Sequence, residues 1–257
     1  MLTEQEIKKY KTDGYVVPEY RVPSHILDSI DEKTDAFIGK NPEFRDNCSA
    51  LLRHDVSFAN YCFANYCFAP GILDMAAQLI GPDIALWNMS LFGKPANDGK
   101  ATPWHQDGEY WPIRPLATCS VWVAIDESSE ENGCLEVIPG SHRGRTLSQH
   151  QHNPSDDLTL HEELLDTEFD PKSSKKILLQ RGQISLHDVF LMHGSQPNRS
   201  SKRRRGMTMR LMPTTSHWDR SLAPDALSHH PLLLVKGVDK CGKNDFQEPE
   251  GSLQKIA

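Results

Sequence analysis

The stretch PWHQDGEYWP, residues 103–112, sets the imidazole of His105 two residues from the carboxylate of Asp107 and follows them with Tyr110 and Trp111. On an extended chain, residues i and i+2 face the same way, so both side chains can converge on one point. Imidazole plus carboxylate suits a borderline divalent ion such as Fe(II), Mn(II) or Zn(II). Such pairs recur by chance, so a third ligand must come from elsewhere. The segment DVFLMHGSQPNRS offers His193, at the end of the apolar run VFLMH and before a Gly-Ser turn, and His187 competes from six residues earlier. Further on, SKRRRG supplies Arg203, Arg204 and Arg205. A guanidinium fork suits a carboxylate, although such a run alone also reads as a solvated basic turn. Strand alternation puts Arg204 on one face with Thr208 and Arg210, and Met207 and Met209 on the other.

The elements that must position these groups are legible in outline. Thr3 and Glu6 form a capping-box pattern, with Ile7 and Tyr10 on one helix face and Gly14 as the stop. YVVP then reads as a short strand. A second helix starts near Pro23–Ser24 and turns Ile26, Leu27, Ile30, Phe37 and Ile38 inward; a third, from about Pro70 to Gly81, buries Ile72, Leu73, Ala76, Leu79 and Ile80. From residue 84 the period changes to two. In IALWNMSLF, Ala85, Trp87, Met89 and Leu91 share one face, and Leu86, Asn88 and Ser90 the other. In TCSVWVAID, Cys119, Val121, Val123 and Ile125 oppose Ser120, Trp122 and Ala124. CLEVI, KILLQ, QISLH, VFLMH and GMTMRLM are further short strands, punctuated by Gly and Pro. Short strands after a few helices indicate a β-sandwich or barrel braced by helices, not a parallel βαβ sheet. One domain is expected: a helical part over 1–82, a β core over 83–215 and a C-terminal tail over 216–257, loosely ordered after about Lys236. Residues 144–175 are polar and irregular and are expected to form a mobile flap.

Bulk properties narrow the partners. A net charge of −7 argues against nucleic acid. No segment reaches the ~18–20 apolar residues of a membrane span, and MLTEQEIKKY lacks a signal peptide's apolar region. The six cysteines form no CxxC pair, which fits reduced thiols in a cytoplasmic protein.

TPWHQDGEYW, then VWVAIDESSEENGCLEVIPGSHR, then GQISLHDVFLMHGSQPNRSSKRRRG resembles the phytanoyl-CoA dioxygenase family of Fe(II)- and 2-oxoglutarate-dependent oxygenases, in order and in spacing, over roughly residues 5–215. The resemblance implies a mainly β fold with flanking helices around a double-stranded β-helix (jelly-roll, cupin-like) core. It also implies a facial triad of His105, Asp107 and His193, choosing His193 over His187. Fe(II), 2-oxoglutarate and O₂ are the implied cofactor and co-substrates, with release of succinate and CO₂. By the same resemblance Arg204, eleven residues after His193, takes the far carboxylate of 2-oxoglutarate, helped by Ser195. Asn88 serves the near carboxylate and Trp122 packs on the co-substrate. Related halogenases lack the acidic ligand, so Asp107 implies hydroxylation or another oxidation, not halogenation. Lys94 matches the family's Lys-Pro pattern, and His142 reads as a hydrogen-bonded structural histidine.

A small polar molecule is the expected partner, held by Tyr110, Trp111, Arg114, Arg53 and His54. Aromatics for an ammonium and arginine for an oxyanion suit an amino- or trimethylammonio-phosphonate. The alternatives are a metal-dependent hydrolase, with Glu109 as general base, and a non-catalytic cupin-like binding module. Keto-acid binding separates the oxygenase from both.

Overall fold

Thr3 opens the first helix as the sequence predicts. Its hydroxyl accepts from the Glu6 amide while the Glu6 carboxylate accepts from the Thr3 amide, at 3.2 and 2.7 Å. The computed structural model describes residues 1–48, 64–223 and 230–247. Helix α1 (Glu4–Asp13) ends at Gly14, whose φ of 84° is left-handed and whose hydrogen faces the His142 ring, where a side chain would clash. Helix α2 (Ser24–Lys40) buries Ile26, Leu27, Ile30, Thr34 and Phe37, leaving Ile38 half-buried. Helix α3 (Ile72–Ile80) buries Ile72, Met75 and Ala76. Leu73, Leu79 and Ile80 are only half-buried, because the stripe is centred on Met75.

The strands are β1 (Tyr15–Val16), β2 (Asn47–Cys48), β3 (Ile84–Lys94), β4 (Thr102–His105), β5 (Ile113–Arg114), β6 (Cys119–Ala124), β7 (Leu135–Val137), β8 (His150–His152), β9 (Glu162–Leu164), β10 (Lys175–Ile177), β11 (Ile184–Asp188), β12 (His193–Ser195), β13 (Arg204–Pro213), β14 (His217–Trp218) and β15 (Leu233–Lys236). Among the described residues the larger sheet runs β1-β11-β6-β13-β3-β15, with β2 also on β3, and the smaller sheet runs β10-β7-β12-β4. Each of these pairings is antiparallel. Two sheets of this connectivity make the expected jelly roll. The outer face of the larger sheet buries Cys119, Val121, Val123, Met207, Met209 and Leu211 against the three helices. Its inner face carries Trp87 and Trp122 in two smaller apolar clusters.

Three expectations need correction. First, the alternation in β3 breaks: Arg210 on β13 opposes Asn88, and Leu211 opposes Leu86, so Trp87 is an extra residue. The bulge turns Ala85 and Trp87 inward but Met89 and Leu91 outward, so these four do not share a face. Second, VFLMH is no strand. Asp188 accepts from the Phe190 amide and Leu191 donates to the Asp188 carbonyl, making a turn that carries the chain from the larger sheet to the smaller. His193 therefore begins β12, while His187 lies on β11 in the other sheet. Third, residues 144–175 include a β8–β9 hairpin, so the flap is not an irregular loop. From residue 216 on, the chain joins the fold through β14, which pairs with β5, and β15, which pairs with β3.

Candidate metal and co-substrate site

Pairing of β12 with β4 sets His193 directly opposite His105. Gln106 is extended, at φ −115° and ψ 127°, so alternation carries through to Asp107 even though that residue begins a 3-10 turn. All three side chains are buried, and one ligand atom from each lies within 4.8 Å of the others. The His105 Nδ1 lies 2.8 Å from the Pro103 carbonyl and the His193 Nδ1 2.9 Å from the Leu191 carbonyl. A carbonyl only accepts, so each Nδ1 carries the proton and each Nε2 presents its lone pair, the form a metal needs. The Ser120 hydroxyl donates to Asp107 Oδ2 at 3.2 Å, and His187 Nε2 is 3.5 Å from that same oxygen. Oδ1 faces His105 Nε2 at 3.8 Å and Arg210 Nη2 at 3.9 Å.

The electrostatics suit a cation held at these atoms. Burial works to raise the Asp107 carboxyl, but the His105 and His187 rings, with Arg210 and His193 behind them, hold it well below the usual carboxylate range. Burial, then His105, pushes His193 well below the ordinary imidazole value. These groups border a cavity of about 470 Å³, its mouth included. Phe92, Trp122, Ser195, Arg204, Thr208 and Arg210 also line it.

Of the three consecutive arginines, Arg204 is the one that faces the cavity. Its Nη2 donates to the Gly133 carbonyl at 2.8 Å, its Nε has no partner among the described residues, and burial brings the guanidinium down to about 10. Its guanidinium lies 5.5 Å from the Trp122 ring. Arg203 and Arg205 turn the other way, onto Asp31, Asp35 and Asp126. Ser195 lies on the cavity wall beside His193. Asn88 Oδ1 accepts from Arg210 Nη1 and from the Ser90 hydroxyl, at 3.0 and 2.8 Å. Lys94 pairs in register with Arg204, and burial, then Arg204, lowers its amine to about 6. His142 is buried beside the Lys11 carbonyl, as a structural histidine should be.

The expected substrate wall fares differently. Tyr110 donates its hydroxyl to the Glu162 carbonyl of the hairpin, and Trp111 is buried against Trp87. Arg114 is exposed on β5 and donates to the Ile113 carbonyl, so it is not on the cavity wall. Arg53 and His54 lie outside the described residues. Glu109 faces His150 at 3.6 Å and is not among the described residues of the cavity wall. The groups whose roles sequence did not assign are His187, Gln106, whose side-chain amide donates to the Phe190 carbonyl at 2.7 Å, and Arg210. The first was visible as a rival ligand and the last as a neighbour of Arg204 in strand period.

Residues 1–206 match the family described as phytanoyl-CoA dioxygenase (PhyH). A probable alpha-ketoglutarate-dependent hypophosphite dioxygenase of Stutzerimonas stutzeri is 31% identical over 136 residues, 52% of this chain and 47% of that protein. The peroxisomal phytanoyl-CoA dioxygenase of Homo sapiens is 31% identical over 174 residues, 65% of this chain and 49% of that protein. The matched part thus spans about half the length of either relative. Of solved structures, the non-heme monooxygenase ThoJ, apo, superposes with a TM-score of 0.73 at 24% identity, covering 97% of this chain and 90% of that one. CytC3 with Fe(II) and alpha-ketoglutarate gives 0.67 at 21% identity, with 96% and 93% covered. At these identities the likeness to the two structures is one of fold.

Proposed function

Because the chain belongs to the phytanoyl-CoA dioxygenase (PhyH) family, we propose that it is an Fe(II)- and 2-oxoglutarate-dependent dioxygenase that hydroxylates a C–H bond of a small polar substrate. The observation that carries this reading is the buried cluster of His105, Asp107 and His193 facing a cavity whose wall also holds Arg204. His105 and His193 offer Nε2, with their tautomers fixed by backbone carbonyls, and Asp107 offers Oδ1 while Ser120 holds Oδ2. Iron bound there, with 2-oxoglutarate, supplies the oxidising power: one atom of O₂ goes to succinate as CO₂ leaves, and the other to the substrate C–H. Arg204, with Ser195 nearby, takes the distal carboxylate of 2-oxoglutarate by charge-assisted hydrogen bonds. Asn88 and Trp122 orient the rest of that molecule. Apolar walls at Phe92, Trp122 and Leu160 keep water from the reacting centre.

For the substrate we favour an amino- or trimethylammonio-phosphonate. The named substrate of the Stutzerimonas stutzeri relative, hypophosphite, is likewise a small phosphorus oxyanion. Tyr110 and Trp111, expected to serve the cation, are not among the described residues of the cavity wall, and Arg114 is too exposed for the oxyanion. A metal-dependent hydrolase is disfavoured because Glu109, its candidate base, turns to His150. The deciding experiment is an anaerobic titration of the protein with Fe(II) and then 2-oxoglutarate. A weak visible charge-transfer band is the expected result; folded, iron-loaded protein without it would overturn the reading.

A further inference from the structure

Arg210 lies on the cavity wall yet is needed neither by the triad nor by the distal carboxylate of a keto acid. It sits on β13, on the same face as Arg204 and six residues further on. Asn88 and Ser90 occupy only its Nη1, at 3.0 and 2.8 Å. Among the described residues the buried Nε has no hydrogen-bond partner, and the acceptor facing Nη2 is Asp107 Oδ1 at 3.9 Å, beyond hydrogen-bond reach. These two nitrogens form the side edge of the guanidinium, the edge that grips two oxygens of one oxyanion. The rings of Trp111, Phe92 and Trp87, with centroids at 5.0, 5.7 and 5.9 Å, hold the group in place by cation–π contact.

The charges of the cavity point the same way. Among the described lining residues Asp107 is the one carboxylate, against two buried guanidiniums, Arg204 and Arg210. A divalent ion and a dianionic keto acid would cancel each other, so one positive charge is left unmatched. An unmatched buried charge is costly, and a monoanionic ligand group removes that cost.

We propose that Arg210 binds the substrate itself, through an oxyanion headgroup (carboxylate or phosphonate) held by the Nε/Nη2 edge beside the metal position. This deepens the oxygenase reading and rests on it. The headgroup then sits near Asp107, whose Oδ1 is 3.9 Å from Nη2, which limits the oxidised C–H to a carbon within a bond or two of the anion.

The test uses protein loaded with Mn(II) and 2-oxoglutarate without O₂, titrated calorimetrically with 2-aminoethylphosphonate, with 3-aminopropanoate and with uncharged-headgroup ethanolamine. The expected result is that wild type binds at least one of the anions and not ethanolamine; which anion binds separates a phosphonate from a carboxylate head. Arg210→Gln should weaken that binding by roughly 10- to 100-fold, with partial recovery in Arg210→Lys, while 2-oxoglutarate affinity changes less than ~3-fold. Arg204→Gln should give the reverse pattern. Wild type that takes up 2-oxoglutarate but neither anion overturns the proposal and leaves the oxygenase reading standing. So does an Arg210→Gln variant that loses 2-oxoglutarate as severely as Arg204→Gln, since Arg210 would then serve the co-substrate. Wild type that fails to bind 2-oxoglutarate sinks the underlying reading instead.

Discussion

His105 and His193 each satisfy Nδ1 with the carbonyl two residues earlier, so the local backbone presets the tautomer and the ligand pair is built before any ion arrives. Asp107 relies instead on Ser120, thirteen residues away on β6. Removing that hydroxyl leaves the carboxylate free to turn, and Ser120→Ala should weaken Fe(II) binding about tenfold, by competition with a chelator. Arg204→Gln should leave Fe(II) affinity alone and raise the 2-oxoglutarate requirement by about 10- to 100-fold. If both constants moved together, the two sites would not be separable in this way. Lys94 gives a pH signature. Its amine is lowered to about 6 in the folded chain, against about 10.4 when unfolded. Between those values the unfolded chain holds a proton that the folded chain lacks, so stability contributed here rises with pH from about 6 upward. Urea unfolding at pH 7 and pH 9 should show that rise in wild type, and Lys94→Met should flatten it.

At the scale of elements, what could be read in the sequence was what repeats locally. The capping box of α1, the inward stripe of α2 and the alternation of β6 depend on near neighbours, and the structure has them as expected. So does the sorting of Arg204 from Arg203 and Arg205, because β13 keeps its period from Arg204 to Arg210. Phase was lost wherever a distant partner intervened. Trp87 is squeezed out of register by β13, and nothing near Trp87 in sequence signals the bulge. His187 and His193 were separated by a turn whose cause is the Asp188 side chain. Gly206 is a further case, an unremarked glycine in a strand. A Cβ there would overlap Trp122 Cζ2, so the indole lies flat on β13 only because the position is bare. Gly206→Ala should cost about 1–3 kcal/mol by overpacking and weaken 2-oxoglutarate binding by displacing Trp122. Combining it with Trp122→Phe should recover part of the loss in stability; strict additivity of the two changes in urea unfolding would mean that the contact carries no strain.

For the whole molecule, the question is what keeps the helices in place on the sheet that carries the site. The apolar layer between them is broad, but it does not fix direction. Arg205 does. From the start of β13 it reaches Asp126 after β6 and Asp31 and Asp35 on α2, with contacts of 2.6 to 2.8 Å. Its side chain is 5% exposed, so its charge has left water and depends on those three carboxylates. Arg203 meets Asp35 at 2.9 Å with its side chain 49% exposed. Geometry alone would rank the two alike; burial does not. An exposed pair is worth ~0–1 kcal/mol, whereas breaking a buried one leaves uncompensated charge and costs about 3–5 kcal/mol. Arg203→Gln should therefore be nearly silent in urea unfolding, and Arg205→Gln should be severe. Arg205 is also the neighbour of Arg204, with its side chain on the opposite face of the strand. Loosening it should raise the 2-oxoglutarate dissociation constant although Arg205 never meets the cavity. Equal losses of stability for the two variants would show that α2 is held by its apolar face alone. A larger loss for Arg205→Gln with 2-oxoglutarate binding unchanged would confine the cluster to the scaffold.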